Sequence, residues 1–197
     1  MKKISCIIIG AGSRGKDAYA PYINKRDDME ITGVAEPDFQ KRAEFQKLYN
    51  ISDCMCFESY RDLFAKDKLA DAVLICTMDD MHLEPAVLAM EKKYHILLEK
   101  PIAPKPEEVY KLDKLIKSYD RAFLTGYVLR YAPFFMKIKE YIDTGKLGRI
   151  VSVQHNENEG YWHHAHNYVR GPWNSSKTSS PLILAKSSHD MDLLLYL

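Results

Sequence analysis

The chain has 197 residues, 46% of them apolar and 28% charged, with 28 Lys and Arg against 27 Asp and Glu. This balanced globular composition excludes an acidic disordered chain, and it leaves no basic surplus with which to bind nucleic acid. No apolar run reaches the length of a membrane span, and the opening segment Ile7-Ile8-Ile9 is too short for a signal-peptide core, so a cytoplasmic protein without a membrane partner is expected.

The predicted elements alternate from the start. Residues 3–9 form a β-branched run that ends at Gly10 and reads as a buried strand. The segment Gly10-Ala-Gly12-Ser-Arg-Gly15 follows, then a helix-compatible stretch to Ile23 interrupted at Pro21. Residues 30–36 read as a strand, 38–49 as a helix and 59–66 as a short helix. Asp71 to Cys76 is a buried strand, 77–81 a turn and 83–92 a helix. His95 to Leu98 is a strand ending at Glu99-Lys100-Pro101, 107–119 a helix and 122–127 a further strand. Strands and helices alternating in this way imply a parallel sheet with helices on both faces, a doubly wound nucleotide-binding architecture.

After Tyr127 the rhythm changes. Residues 134–142 read as a helix, Thr144 to Gly148 as a turn, and 149–159 alternate in polarity like a half-solvated strand. An aromatic and His-rich segment runs over 160–173, and 182–197 reads as an apolar helix. Cys6 and Cys76 lie in apolar runs and read as small buried hydrophobes. Cys54 and Cys56 are one residue too close for a CxxC site.

Gly10-x-Gly12-x-x-Gly15 is a weak signal by itself, but here a strand precedes it and an acid, Glu36, stands 21 residues past its last glycine. Gly10 permits the tight turn, Gly12 lets the backbone approach a pyrophosphate, and Gly15 allows close helix–strand packing. Glu36 ends the second strand, where a carboxylate accepts the ribose diol of NAD and repels the 2′-phosphate of NADP. Arg14, Lys41 and Arg42 nearby oppose that preference, so NADP remains the alternative. Thr77 and His82 follow a strand at the rim where doubly wound sheets bind ligands, although a histidine before a helix also serves as a packing group. Glu99-Lys100 stands at the same rim, where a lysine can shuttle a proton to or from a substrate hydroxyl; an ordinary strand-end charge pair is the other reading.

Together with Gly126-Tyr-Val-Leu-Arg130-Tyr, these motifs resemble the glucose–fructose oxidoreductase / inositol dehydrogenase / rhizopine-catabolism family (Gfo/Idh/MocA). The likeness covers essentially the whole chain, and Glu-Lys-Pro is its most specific mark. It implies an NAD(P)-binding Rossmann domain over 1–125. Over 126–197 it implies the beginning of a substrate-binding α/β domain with an open, mainly antiparallel sheet. It also implies catalytic roles for Lys100 and His189. The expected cofactor-binding set is Gly10, Gly12, Ser13, Arg14, Gly15, Glu36, Thr77, His82, Glu99, Lys100 and Pro101. The family usually carries an Asp four residues before the second-motif histidine; Ala185 stands there instead, so either Lys186 takes over part of its role or Asp190 orients the His189 imidazole.

Five of the seven histidines fall within 155–189. They lack the HExxH spacing and a completing cysteine, so no metal site is expected. Tyr161, Trp162, His163, His166, Arg170 and Trp173 instead read as a pocket lining whose rings stack on sugar faces, with Arg130, Lys186 and Asp190 as further substrate-binding candidates. Burial of these aromatic residues in domain packing is the competing reading.

The function expected is NAD(P)-dependent hydride transfer between nicotinamide and a sugar, cyclitol or related secondary alcohol. The alternatives are an NAD-dependent glycosidase using transient oxidation and a catalytically silent dinucleotide-binding protein. The expected partner is a small polyol, and the full-length protein is expected to be a homo-oligomer. The chain closes on Leu-Leu-Leu-Tyr-Leu197, an apolar helix without a stop signal. The expectation is therefore that 197 residues are the N-terminal portion of a longer enzyme.

Overall fold

Cys6, Ile7, Ile8 and Ile9 are all buried, as expected of a strand covered on both faces. In the computed structural model, which describes residues 2–171, 173–175, 177 and 179–197, this strand is β1 (Ile4–Ile9). It lies inside a six-stranded sheet of order β3-β2-β1-β4-β5-β6. The other strands are β2 (Met29–Ala35), β3 (Cys56–Phe57), β4 (Ala72–Ile75), β5 (His95–Leu98) and β6 (Phe123–Thr125). Every pairing is parallel.

Alternation along the strands divides the core in two. Ile7, Ile9, Val73, Ile75, Ile96 and Leu98 face one side, and Cys6, Ile8 and Leu74 face the other. Helices α1 (Ala20–Asn24) and α2 (Phe39–Tyr49) cover the second side through Ala20, Ile23 and Phe45. Helices α3 (Tyr60–Phe64), α4 (Leu83–Glu91) and α5 (Pro106–Ile116) cover the first through Leu63, Phe64, Ala86, Ala89, Met90 and Leu112. Each fully buried isoleucine contributes about 1.5–3 kcal/mol, which makes β1 the strand that must be central.

Local signals set the helix ends. The Asp38 carboxylate accepts from the Gln40 and Lys41 amides and starts α2, and Asn50 ends it in the left-handed region at φ 52°. Ser59 accepts from the Arg61 amide to start α3. Pro106 opens α5, where its missing N–H costs nothing.

The chain divides into two compact units, one ending at Thr125 and one spanning Gly126–Leu197. The second contains α6 (Pro133–Asp143), α7 (Tyr161–His163) running into a π-helical turn (His164–Val169), and α8 (Leu182–Tyr196). Two sequence expectations are corrected here. The half-solvated strand over 149–159 does not form. Among the described residues of this unit there is no strand, so the open, mainly antiparallel sheet expected over 126–197 does not appear; the sheet that forms lies in the first unit and is wholly parallel. Val151 is 91% exposed; alternating polarity makes a strand only where a partner takes up its backbone groups. Nor does the fold by itself show the truncation expected of this unit. No helix among the described residues is long and apolar enough to cross a membrane.

Candidate active site

The strand order reverses between β1 and β4, and ligands of doubly wound sheets bind outside the carboxyl ends at that point. Gly10 leaves β1 with φ +94°, and a Cβ there would stand 2.6 Å from the Cys76 carbonyl oxygen. A Cβ on Gly15 would lie 2.2 Å from the Gly10 carbonyl oxygen and 2.8 Å from Ile8 Cγ2. Both glycines are therefore required by the fold. Gly12 differs: its φ is −76°, and a Cβ would meet nothing within 4 Å. The turn opens a helical stretch, π-helical over Ser13–Tyr19 and then α1, whose first amides have no intrahelical acceptor. Clearance over Gly12 together with such amides fits a pyrophosphate.

Glu36, buried at the end of β2, has a structural duty as well. Its Oε2 accepts from the Ala11 amide at 2.8 Å and its Oε1 from the Asp38 amide at 3.0 Å. The carboxylate thus holds the glycine turn, and each oxygen keeps lone-pair capacity for a ribose diol. Arg42 donates to the Glu36 and Pro37 carbonyls, and Lys41 lies 3.9 Å from Asp38. Ser13 and Arg14 are exposed beside the turn.

The loop after β4 and the end of β5 are tied together. His82 is 1% exposed. Its Nδ1 lies 2.8 Å from the Pro101 carbonyl and its Nε2 lies 3.2 Å from the Thr77 carbonyl, while the Thr77 hydroxyl donates to the Met81 carbonyl. As placed, His82 is a bracket beneath the rim rather than a group on its surface. His82→Ala should therefore destabilise the fold by about 2 kcal/mol or more; an unchanged midpoint in urea would remove the bracket.

Glu99 is 5% exposed. Its Oε1 accepts from the Tyr19 hydroxyl at 2.6 Å, and its Oε2 accepts from the Lys100 amide at 3.0 Å. Arg14 Nε lies 3.9 Å from Oε1. Lys100 is half-buried, and Pro101, joined to it by a cis peptide bond, is buried.

The second unit places its candidates differently. Arg130 forms a two-pronged pair with Asp192, at 2.7 Å from Nε to Oδ2 and 2.6 Å from Nη2 to Oδ1, and its guanidinium lies over the Tyr196 ring. This pair raises the Arg130 pKa and commits the residue to bracing α8. Arg130→Met should cost about 1–2 kcal/mol by leaving the buried Asp192 carboxylate without its cation. Chemical denaturation reads the effect, and an unchanged midpoint would mean the pair is solvated.

Ala185 is buried and His189 lies in mid-helix, its ring edge-on to Tyr127 at 5.8 Å between centroids. Asp190 follows His189 directly in α8, where consecutive residues point in different directions around the helix. The Asp190 Oδ1 lies 2.7 Å from His155 Nε2. Lys186 Nζ pairs with Glu159 Oε2 at 3.1 Å, and His163 lies 3.5 Å from the same carboxylate. Donor atoms of His155, Glu157 and Asp190 lie within 4.8 Å of one another, a grouping the sequence did not disclose because 35 residues separate its ends. Tyr161, Trp162, His163, His166 and Arg170 are exposed, with Trp162 stacked on His166 at 3.7 Å and Trp173 near Tyr168.

The turn at the switch point, with Glu36 behind it, places the chain among dinucleotide-binding α/β proteins. Its family follows from sequence comparison. Residues 4–127 match the oxidoreductase family, NAD-binding Rossmann fold, and residues 139–197 match that family's C-terminal alpha/beta domain. The chain belongs to the Gfo/Idh/MocA oxidoreductase family. It is 26% identical over 190 residues to 2,7-anhydro-N-acetylneuraminate hydratase of Escherichia coli, covering 96% of this chain and 48% of that protein. It is 26% identical over 154 residues to an inositol 2-dehydrogenase of Corynebacterium glutamicum, covering 78% of this chain and 45% of that one. The crystal structure of Lactobacillus casei scyllo-inositol dehydrogenase with NAD(H) and scyllo-inositol superposes with a TM-score of 0.84 at 24% identity, covering 99% of this chain and 56% of that one. The chain spans about half the length of the curated relatives it matches.

Proposed function

We propose that the protein is an NAD(P)-dependent oxidoreductase that moves a hydride between nicotinamide and a secondary alcohol of a sugar or cyclitol. The observation that carries this reading is Lys100 at the end of β5, its amide held by the buried Glu99 carboxylate, in a chain with the family's NAD-binding fold. NAD, when bound, supplies the hydride acceptor. The glycine turn offers amides to its phosphates, and Glu36 takes the ribose diol while keeping the Ala11 amide. Lys100 receives the hydroxyl proton as the carbon is oxidised and returns it in reduction. His189 is the second proton-handling group, and exposed Tyr161 and Trp162 offer ring faces to the C–H side of a polyol. The inositol dehydrogenases among the relatives favour a cyclitol.

The test is a panel of cyclitols and sugars with NAD and with NADP at alkaline pH, followed by nicotinamide absorbance. Reduction by at least one cyclitol is expected, with NAD preferred; a chain that binds NAD yet reduces none of it across the panel refutes the reading. One relative is named for a hydratase reaction, which has no net oxidation; the second reading is accordingly a redox-neutral one, in which the nicotinamide takes a hydride and gives it back to the same substrate. Product formed without net NADH would favour it.

A further inference from the structure

Tyr19 has no part in the roles assigned so far, and nothing in its sequence neighbourhood marks it. It closes the π-helical stretch Ser13–Tyr19, in which the Ala20 amide reaches back five residues to the Gly15 carbonyl. Pro21 follows and has no amide to donate. Such wide turns inside helices often accompany functional positions, and here the turn carries a phenol whose partner lies 80 residues away. The Tyr19 hydroxyl donates to Glu99 Oε1 at 2.6 Å, and the other oxygen of that carboxylate accepts the Lys100 amide at 3.0 Å.

A buried carboxylate needs its lone pairs satisfied, and Glu99 has few donors. The groups that face it are Tyr19 and Arg14 from the helical stretch after the glycine turn, Cys76 from the end of β4, and the amide of its own neighbour Lys100. Arg14 Nε stands 3.9 Å away on a side chain that is 54% exposed, so water screens it. The Cys76 thiol is pushed up by burial and by Glu99 itself and carries no positive charge. Burial, and then the Glu99 charge, push the Tyr19 phenol well above its ordinary range, so it stays a donor wherever the protein is folded.

We propose that Tyr19 is a positioning residue for Lys100: its hydroxyl fixes the Glu99 carboxylate, which holds the Lys100 amide, joining the phosphate-binding turn to the strand end that bears the proton-handling lysine. The functional meaning rests on the oxidoreductase reading. The linkage itself does not, and it can be read without a substrate.

The Lys100 amide reads the linkage without a substrate. In the full chain labelled with nitrogen-15, Glu99→Gln, which weakens the acceptor, should move the Lys100 amide resonance and speed its exchange with solvent by about tenfold. Tyr19→Phe keeps the ring and deletes the donor that fixes the carboxylate, so the same amide should move and exchange about tenfold faster. Should Tyr19→Phe fail to fold, 3-fluorotyrosine at position 19 keeps the shape and makes a stronger donor, so the exchange should slow. An unchanged Lys100 amide in either variant at position 19 overturns the proposal, as does one indifferent to Glu99→Gln. A tyrosine that only filled space would move none of these.

With scyllo-inositol and NAD as probes, Tyr19→Phe should lower kcat about tenfold and leave the KM for NAD within about twofold, with little further loss in the Glu99→Gln background. Equal losses in both backgrounds would overturn the linkage. A wild-type chain inert toward every polyol refutes the oxidoreductase reading instead, while the Lys100 amide exchange still decides the role of Tyr19.

Discussion

Lys100→Ala is expected to lower turnover by about 10²–10⁴-fold and to leave NAD affinity within about twofold. The two effects separate because the side chain and the backbone of Lys100 have different duties. The backbone amide donates to Glu99 Oε2 and survives the substitution, so the strand end keeps its shape. What is lost is the amine proposed to take the hydroxyl proton as the carbon is oxidised. Steady-state turnover of a cyclitol found active in the panel, alongside calorimetric titration with NAD, makes the comparison. Turnover within about threefold of wild type would end the proposed role of Lys100. A matching fall in NAD affinity would make the lysine a binding group instead.

Two glycine substitutions three residues apart should fail in opposite ways. In Gly15→Ala the new methyl meets the Gly10 carbonyl oxygen at 2.2 Å and Ile8 Cγ2 at 2.8 Å. One of these contacts is backbone, which cannot swing aside, so the expected cost is about 3 kcal/mol or more, a drop in Tm of roughly 10 °C. Gly12→Ala meets nothing within 4 Å and has an ordinary backbone angle, so stability should stay within about 0.5 kcal/mol of wild type. NAD affinity should nevertheless fall at least about tenfold, because the methyl enters the space assigned to the pyrophosphate. Thermal unfolding and NAD titration of both variants provide the check. Gly12→Ala binding NAD normally would move the phosphates away from this turn.

The strands and the glycine turn were legible because their signals are local. A run such as Cys-Ile-Ile-Ile ending at Gly10, with an acid at the end of the following strand, needs no distant information. β3 escaped notice because Cys56–Phe57 is two residues long, too short for any period to show. The strand expected over 149–159 erred in the other direction: Val151 and Val153 alternate properly, yet pairing is a property of two segments, and among the described residues no second one takes them up. The site was half legible for the same reason. Lys100 and Glu36 stand at strand ends that the sequence marks, whereas the links from Tyr19 to Glu99, His155 to Asp190 and Arg130 to Asp192 join positions 80, 35 and 62 residues apart. Asp190 shows the limit of local spacing: as the chain neighbour of His189 it suggests an orienting carboxylate, yet its Oδ1 also meets His155, which no local pattern announces.

Glu36 also bears on any attempt to re-engineer the cofactor preference. The usual route from NAD toward NADP replaces the acid at the end of the second strand with a small or neutral residue, clearing room for a 2′-phosphate. In this chain the same carboxylate accepts the Ala11 and Asp38 amides. Removing it leaves two donors without their acceptor, one inside the glycine turn and one at the start of α2, each costing about 1–3 kcal/mol where water cannot reach. The proposed ribose contact and the loop's integrity fall to a single side chain, so a designer altering one must rebuild the other, for instance with an asparagine or serine that still presents an oxygen to Ala11.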